Sequence, residues 1–569
     1  MNEGKFLVQI RTAQIFIFAL VLTILPASLV NAQDAAKRTA KGLPSSPVKL
    51  QVDPLLIAEA AEVWALIASP DNPIWPGWDA SSTPLLFYLP GEQDVLINHP
   101  HPPDGFLPYT GPISFPGGRV FLRNGPTILQ WDGQNTSKDI AGVRTLVVAD
   151  TLSNLRNHVK DLLQDTRPAA EKVQALNFSD LATDPYDQLA MVVHEAFHVF
   201  QNAQAPDKGA NEMLLLQYPV LSVENNVGLA QEGSALAEAL RATDGAAVRR
   251  AAVRWLALRK DRRASLPAKA VEYEDGCEFK EGLAKYTGYR LFQVLEGREP
   301  GAAMSWAQGF AGYADLAPQR EQLIESMLKH MSGAVIVNND PYGTAPLRMR
   351  LYYSGMAVGA MLDKLTSNWK SRIFSPDTSL TTVAEEALKP SSAELVAALR
   401  EARSDPTYAS LVQSKTKLAE EGKAHTQAVL NEIERGPGVG LIVDYSRLDS
   451  SSKVGMNFTP FGITKVDGER TIFSQIPIGV IFGKEGELSQ KVPAPLLRDN
   501  GRRLVLFRLP AGATRAEVEK VLASLQTQDG AVANLALDLP GVSLKASKAQ
   551  IRWSGEDLII VLLKANETK

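Results

Sequence analysis

The pattern of apolar and polar residues changes twice along the chain, which predicts three regions of different structure. From about residue 50 to residue 155, an apolar-periodic stretch at 54–68 predicts a helix, and short runs of β-branched and aromatic residues then predict strands. From Asp180 to about Gly436, apolar residues recur every three or four positions, as they do on one face of a helix. After the glycine-rich segment 436–440, strand-like runs return, interrupted by one helix that a Thr514/Glu517 capping box begins.

The same pattern predicts the individual elements and, from them, the fold class. Strands are predicted at 85–89, 94–98, 118–123, 127–130, 143–149, 441–445, 470–473, 479–482, 503–509 and 558–563. Helices are predicted at 54–68, 227–242, 246–259, 279–295, 323–332, 353–365, 395–403 and 515–526. We therefore expect an α+β protein with an N-terminal α/β region containing a small sheet (33–180), a central, mostly helical domain (181–435) and a C-terminal β-rich module (436–569).

The first 32 residues have the pattern of a secretory signal peptide. Positive charges at Lys5 and Arg11 precede an apolar run at 15–25, and Ala32 completes a small-residue cleavage site before Gln33. The pattern is typical of bacterial export, to the periplasm or the medium, with an uncleaved anchor helix as the alternative. No later stretch is long and apolar enough to predict a membrane span, so we expect none after cleavage.

Composition and charge narrow the function classes only slightly. The 569 residues are enough for two or three domains, and the formal net charge of −4 gives no basic excess of the kind that nucleic-acid binding needs. Cys277 is the single cysteine, so the chain forms no internal disulfide. Nothing in the composition indicates an oligomeric state.

The most informative motif is His194-Glu195-Ala196-Phe197-His198 within a predicted helix. Asp184 and Pro185 are typical of a helix start, and neither Gly nor Pro follows until Pro206, so the helix is expected to extend to about residue 203. Residues four apart lie on one face of a helix, which lets His194 and His198 bind one metal ion while Glu195 lies beside it as a proton acceptor. The alternative is a buried helix with two hydrogen-bonded histidines and a solvated glutamate.

A third ligand is needed, because a catalytic zinc usually has three protein ligands and one open position. No histidine follows closely, since the next one along the chain is His330. Two glutamates compete, Glu232 and Glu281, and both stand in the sequence Glu-Gly-x-Ala. The small neighbours of each glutamate would let its helix approach the metal-binding helix closely.

The chain resembles the gluzincin metallopeptidases, in which His-Glu-x-x-His is followed by Glu-Gly-x-Ala-x-Tyr on a second helix. Residues 281–286 fit that second motif fully, whereas Glu232 lacks the tyrosine but has a spacing closer to the family norm. The runs at 282–288, 352–355 and 456–460 also resemble a group of uncharacterised exported bacterial proteins with predicted zinc-peptidase motifs. The resemblance implies a zincin-like catalytic domain with one Zn²⁺ per chain. We favour Glu281 over Glu232, because Glu281 has the full motif and an acidic run before it that can supply supporting hydrogen bonds. The shorter connection to Glu232 is a weaker argument, since a long connection between ligands costs little free energy.

Other polar residues near the motifs are candidates for supporting roles. Candidates for stabilising an oxyanion are Tyr286, Tyr289, Tyr352, Tyr353 and His330. Candidates for orienting the ligands are Glu274 and Glu278, and candidates for pairing with site carboxylates are Arg259 and Arg262. Isolated aromatic residues and helix-surface arginines are more often structural than functional.

Together these features predict an exported zinc metallohydrolase, most simply a peptidase acting on a peptide or protein substrate. In that interpretation Glu195 is the general base towards a zinc-activated water. Two alternatives stay open. One is a non-enzymatic envelope or binding protein that keeps the helix pair as a scaffold and binds through the β-rich module, and the other is a zinc hydrolase of non-peptide substrates.

Overall fold

The computed structural model of the chain describes residues 49–111, 115, 118–129, 135–150, 184–337, 342–449, 451–525 and 530–564. The predicted signal peptide lies outside these residues. Helices and sheets segregate along the chain as expected for an α+β protein, with a small first sheet, a helical centre and a β-rich end, so the predicted fold class is confirmed. Leu50–Lys569 form one compact unit. No helix in the described part is both long and apolar enough to cross a membrane.

The first sheet has six strands and follows one helix. The helix is α1 (Pro54–Ile67), and the strands are β1 (Leu85–Leu89), β2 (Gln93–Ile97), β3 (Leu107–Pro108), β4 (Val120–Asn124), β5 (Thr136–Ile140) and β6 (Val143–Ala149). Their order is β3-β4-β2-β1-β6-β5, with β1 and β6 parallel and the other pairs antiparallel. The sheet therefore ends in β5, a polar strand that the sequence pattern did not predict.

The strand predicted at 127–130 is wrong where the structure describes it, since Thr127–Leu129 form no strand. The backbone N–H of Ile128 donates to Asp94 Oδ2 at 3.0 Å, and Arg123 Nη2 donates to the same oxygen at 2.8 Å. The Ile128 N–H, which a strand would use to pair with its neighbour, is thus bonded to a buried carboxylate. This long-range contact overrides the local apolar pattern.

The central region is an assembly of helices. These are α2 (Pro185–Gln204), α3 (Val223–Arg241), α4 (Gly245–Ala264), α5 (Ala268–Cys277), α6 (Leu283–Leu295), α7 (Ala317–Met331), α8 (Thr344–Leu365), α9 (Trp369–Arg372), α10 (Leu380–Leu388), α11 (Ser392–Ser404) and α12 (Tyr408–Arg435), with short 3₁₀ segments at Glu212–Gln217 and Ala302–Trp306. A five-residue π-helical turn, Glu278–Gly282, joins α5 to α6. The helix predicted at 279–295 therefore starts at Ala268 and is interrupted by this turn.

The described residues of the C-terminal region form one large sheet with a single helix. Its strands are β7 (Gly440–Asp444), β8 (Val454–Met456), β9 (Ile463–Lys465), β10 (Arg470–Phe473), β11 (Gly479–Phe482), β12 (Gly486–Gln490), β13 (Leu496–Asp499), β14 (Leu504–Arg508), β15 (Val532–Leu539), β16 (Val542–Ser554) and β17 (Asp557–Leu562), and its helix is α13 (Arg515–Leu522). Thr514 and Glu517 form the predicted capping box. Leu430 and Ile433 of α12 pack on Ile472, Leu497 and Leu506, which fixes this sheet to the helical region.

Aromatic residues of the first region hold the motif helix α2 in place. Phe197 is fully buried, and its ring centroid lies 4.7 Å from that of Trp75 and 5.2 Å from that of Trp78. Aromatic contacts of this kind combine large apolar burial with defined ring geometry. The side of α2 next to its histidines is therefore anchored, so that the histidines have a rigid support.

Two glycines let the π-helical turn approach α8 closely. A Cβ added to Gly282 would lie 2.6 Å from the Gly355 Cα, and one added to Gly355 would lie 2.7 Å from the Glu278 carbonyl oxygen. No larger residue fits at either position without moving backbone. The approach brings the turn that carries Glu281 against the helix that carries Tyr352.

We expect Gly282→Ala to lower the free energy of unfolding by about 1–3 kcal/mol, because the added methyl group overpacks a backbone contact. The backbone at Gly282 is helical (φ −65°, ψ −42°), so the loss comes from crowding rather than from backbone strain. Gly245→Ala at the start of α4 is the matched control, since a Cβ there meets nothing within 4 Å. Urea unfolding that finds the two variants equally stable would contradict the crowding argument.

Candidate metal centre

His194 and His198 lie one turn apart on α2 and converge on one point. The helix starts as predicted, because Asp184 caps it by accepting a hydrogen bond from the Tyr186 backbone N–H at 2.8 Å. The Nε2 atoms of the two histidines are 3.1 Å apart. The i, i+4 spacing of the motif has therefore produced the pair of imidazole nitrogens expected from helix geometry.

Glu281 meets the two histidines from the π-helical turn. Its Oε2 lies 3.5 Å from His194 Nε2 and 3.4 Å from His198 Nε2. π-Helical turns inside helices are often found at functional sites. Within the described residues, this trio of side chains is the group whose geometry suits a metal ion.

The spacing of the three ligand atoms fits a tetrahedral zinc ion. Zinc binds imidazole nitrogen and carboxylate oxygen at about 2.0–2.2 Å, so two ligand atoms of a tetrahedron are about 3.3–3.6 Å apart. The three separations here are 3.1, 3.5 and 3.4 Å. Two neutral imidazoles and one carboxylate are also a donor set that catalytic zinc sites use. The residues present therefore fit the metal that the motif predicts.

Gln201 orients the His198 ring, and the sequence reasoning missed it. Its side-chain oxygen lies 2.9 Å from His198 Nδ1, and its amide nitrogen donates to the Phe279 carbonyl at 2.7 Å. The second bond fixes which end of the amide faces the ring, so Nδ1 carries the proton and Nε2 keeps its lone pair for a metal. Gln201 is three residues after His198 on α2, a helical spacing that could have identified it.

Arg348 and Tyr352 on α8 hold Glu281 in place. Arg348 Nη2 donates to Glu281 Oε1 at 3.0 Å, and its other amino group donates to Glu212 and, at 3.2 Å, to the Tyr273 hydroxyl. Tyr352 hydrogen-bonds with Glu281, and its ring centroid stacks 6.4 Å from that of His194. Tyr352 was among the candidates, whereas Arg348 was missed, although it lies one helical turn before Tyr352.

Burial and charge shift the pKa values of the site side chains. Loss of hydration is the main cause that raises the pKa of Glu195 to about 7. Burial lowers the pKa of His194 to about 4, so this imidazole is neutral at physiological pH. Burial also works against a charged Glu281, but hydrogen bonds with His194 and then His198 bring the pKa of that carboxyl well below its usual range.

Glu232, the alternative third ligand, points into a buried network of ion pairs instead. Its carboxylate accepts from Arg259 Nε at 2.9 Å and from Arg262 Nε at 2.5 Å, and all three side chains are buried. Burial disfavours the charged carboxylate, but the two arginines lower the pKa of Glu232. The structure therefore brings Glu281, and not Glu232, to the histidines.

The other acidic and basic candidates belong to the same network. Arg259 forms a bidentate pair with Glu278 at 2.9 and 2.7 Å, and Arg262 donates to Glu274 at 2.5 Å. Neither arginine pairs with Glu281. Glu278 is part of the π-helical turn, so Arg259 acts on the site only by holding the backbone that carries Glu281.

The tyrosine candidates lie at different distances from the histidines. Tyr286 donates to Asp363 and packs against Trp75, and neither it nor Tyr289 lines a cavity at the site. Tyr353 lies further along a cavity, where its ring stacks on His330 with centroids 4.7 Å apart. Tyr352 is therefore the tyrosine best placed for chemistry at the site.

Two cavities meet at His194 and Glu195. The helix-side cavity, of about 420 Å³, lies between α2, α6, α7 and α8 and contains Met191, Phe292 and Leu323 among its lining residues. The strand-side cavity, of about 480 Å³, lies between β5, β6, α2 and the π-helical turn and is lined mainly by polar side chains. Tyr352 lines both. An extended substrate could therefore pass the histidines with one part in each cavity.

We expect Gln201→Leu to weaken zinc binding by about 10- to 100-fold, because the substitution removes the acceptor that orients His198. Competition with a chromophoric chelator measures this affinity. Gln188→Leu is the matched control, since Gln188 is buried on the same helix and no described residue hydrogen-bonds its Nε2. Equal zinc affinity of the two variants would rule out an orienting role for Gln201.

Comparison with protein-family models, with curated proteins and with solved structures gave no match to this chain.

Proposed function

We propose that this protein is an exported, zinc-dependent hydrolase that cleaves peptides, with His194, His198 and Glu281 as zinc ligands and Glu195 as general base. The observation that carries the proposal is the set of ligand-atom separations, 3.1 to 3.5 Å, beside a carboxylate on the same helical turn. Export rests on the pattern of the first 32 residues.

The side chains at the site have different roles in hydrolysis. A bound zinc ion would supply Lewis-acid activation of water and of the scissile carbonyl. Glu195 accepts the proton of the attacking water and delivers it to the leaving amine, a role that its place beside the three ligand atoms allows. The Tyr352 hydroxyl, at the junction of the two cavities, exchanges its hydrogen bond with Glu281 for one to the oxygen on which negative charge develops.

The edge of the first sheet supports a peptide as the substrate. β5 is the last strand of that sheet, and no strand in the described part of the chain pairs with its outer side. Thr136 and Ser137 of β5 line the strand-side cavity together with His194 and Glu195. A peptide in extended conformation can add to such an edge through its backbone, whereas a non-peptide substrate lacks the N–H and C=O groups that pair with the edge.

We expect purified protein to bind close to one zinc ion per chain and to hydrolyse peptides only in that state. Elemental analysis measures the zinc content. Turnover of a mixed peptide library before and after chelation measures whether hydrolysis needs the metal. Zinc should also raise the melting temperature, because a ligand that binds only the folded state stabilises it by mass action. A protein that folds without metal and binds none would support the scaffold alternative.

A further inference from the structure

The strand-side cavity contains two cations that come from different parts of the fold. Lys280 comes from the π-helical turn and Arg144 from β6, and both line the cavity with Glu195. The carboxylates of Glu195 and Glu281 also line this cavity, so its two cations offset their negative charge.

Neither cation uses all of its donors within the described residues. The Lys280 ammonium donates to the Asn202 side-chain oxygen and forms no ion pair there. Arg144 donates to the Ser137 hydroxyl at 3.1 Å and lies 3.5 Å from the exposed carboxylate of Asp139. An ammonium has three donors and a guanidinium five, so both retain hydrogen-bonding capacity.

The carboxylates of the site do not occupy the unused donors of Lys280 and Arg144, so these donors are available to a substrate. Glu281 lines the same cavity, but its oxygens are held by Arg348 and lie against the two histidines. Glu195 forms no ion pair with Lys280 within 4.0 Å among the described residues, and the proposed function uses it as the proton acceptor. The other lining residues, Asn135, Thr136 and Asn202, are neutral and polar, so an apolar side chain finds little contact.

The helix-side cavity has a different character. It is lined by several apolar and aromatic side chains, with Asp184, Asp187 and Glu195 as its acidic residues and Lys285 as its cation. The Lys285 ammonium lies 4.3 Å from the centroid of the Tyr353 ring, a cation–π contact. The negative charges of this cavity make it the less favourable place for an anion, so the two sides of the site differ in charge.

We propose that the strand-side cavity recognises a carboxylate of the substrate, with Lys280 and Arg144 as the residues that determine this specificity. The inference rests on the proposed function and adds the substrate class, namely peptides with a carboxylate on one side of the scissile bond. That carboxylate is either an acidic side chain or the free C-terminus of the peptide. Charge-assisted hydrogen bonds from the unused donors of the two cations favour it over an uncharged group of the same shape.

The test uses the full, zinc-loaded chain and matched quenched fluorescent peptides. One arm exchanges Glu for Gln at each position around the cleaved bond, and the other exchanges a free C-terminal acid for its amide. We expect kcat/KM to be about 10- to 100-fold higher for the charged member in one arm, since a hydrogen bond to a charged group is worth about 1.5–3 kcal/mol. A preference in the first arm identifies an acidic side chain, and one in the second identifies the chain end.

Substitutions of Lys280 and Arg144 test whether these two residues cause the preference for charged peptides. Lys280→Met should reduce it to about threefold or less, whereas Lys280→Arg should keep most of it, because the positive charge remains. Lys285→Met is the matched control, since it removes a cation from the other cavity and should leave the ratio unchanged. Because Lys280 also joins the π-helical turn to α2 through Asn202, Arg144→Gln on the partly exposed strand provides a second variant that keeps the helices intact.

The outcomes separate this inference from the proposed function. Equal rates for charged and uncharged peptides overturn the carboxylate subsite and leave the peptidase standing. A loss of preference in Lys285→Met as large as in Lys280→Met also overturns it, because the effect is then one of general charge. Zinc-loaded protein that hydrolyses none of the peptides overturns both proposals.

Discussion

Glu195→Gln should retain both zinc and fold and lose hydrolysis by about 10²- to 10⁴-fold, the usual range for removal of a general base. The amide has the shape of the carboxylate but cannot accept a proton from water. Glu195 lies beside the three ligand atoms and is not one of them, so zinc content should stay close to one per chain. The two measurements are kcat/KM on the best peptide and elemental analysis of the same preparation.

Two comparisons make the result specific to the base. Glu224→Gln, at an exposed position near the start of α3 and outside both cavities, should keep full activity. His194→Gln should lose activity together with zinc, because it removes a ligand. Unchanged turnover in Glu195→Gln would mean that another group accepts the proton.

Exchanging the two competing glutamates for alanine should damage the protein in two different ways. Glu281→Ala should weaken zinc binding by more than about 100-fold, because it removes a ligand and not only a supporting hydrogen bond. The metal-free chain should lose less stability than in Glu232→Ala, since Arg348 keeps its pair with Glu212. Glu232→Ala should instead lower the free energy of unfolding by about 3–5 kcal/mol, because removing one partner leaves the buried Arg259 and Arg262 partly uncompensated.

Zinc retention after dialysis and urea unfolding of the metal-free variants separate these effects. Glu232→Gln is a useful companion to the alanine variant, since it removes the charge while keeping the volume of the side chain. If Glu232→Ala empties the site of zinc while Glu281→Ala leaves it full, the assignment of Glu281 as the third ligand is wrong.

The part of the site that the sequence predicted depends on local geometry. Asp184, Pro185 and the i, i+4 pair of histidines act within one helix, and helix periodicity is independent of the rest of the fold. The capping box at Thr514 and most of the helices were predicted for the same reason. These features need only the residues within one or two turns.

The part that could not be predicted depends on distant partners. Glu232 and Glu281 stand in the same local sequence, and what distinguishes them is the position of Arg259 and Arg262, which pair with one and not the other. β5 was missed because its pattern is mixed, and its place at the sheet edge is set by pairing with β6. No periodicity indicates that residues 278–282 wind as a π-helical turn.

The hydrogen bonds of Gln201 have a consequence for the order of events during metal uptake. One amide contacts His198 on α2 and the Phe279 carbonyl on the turn that carries Glu281, so it connects both ligand-bearing segments. The coordinating atoms are thus preorganised by the protein itself, and the entropy of bringing them together is lost during folding rather than when the ion arrives. We therefore expect capture of the ion to be a simple bimolecular step, whose rate depends on zinc concentration without a slow rearrangement of the chain.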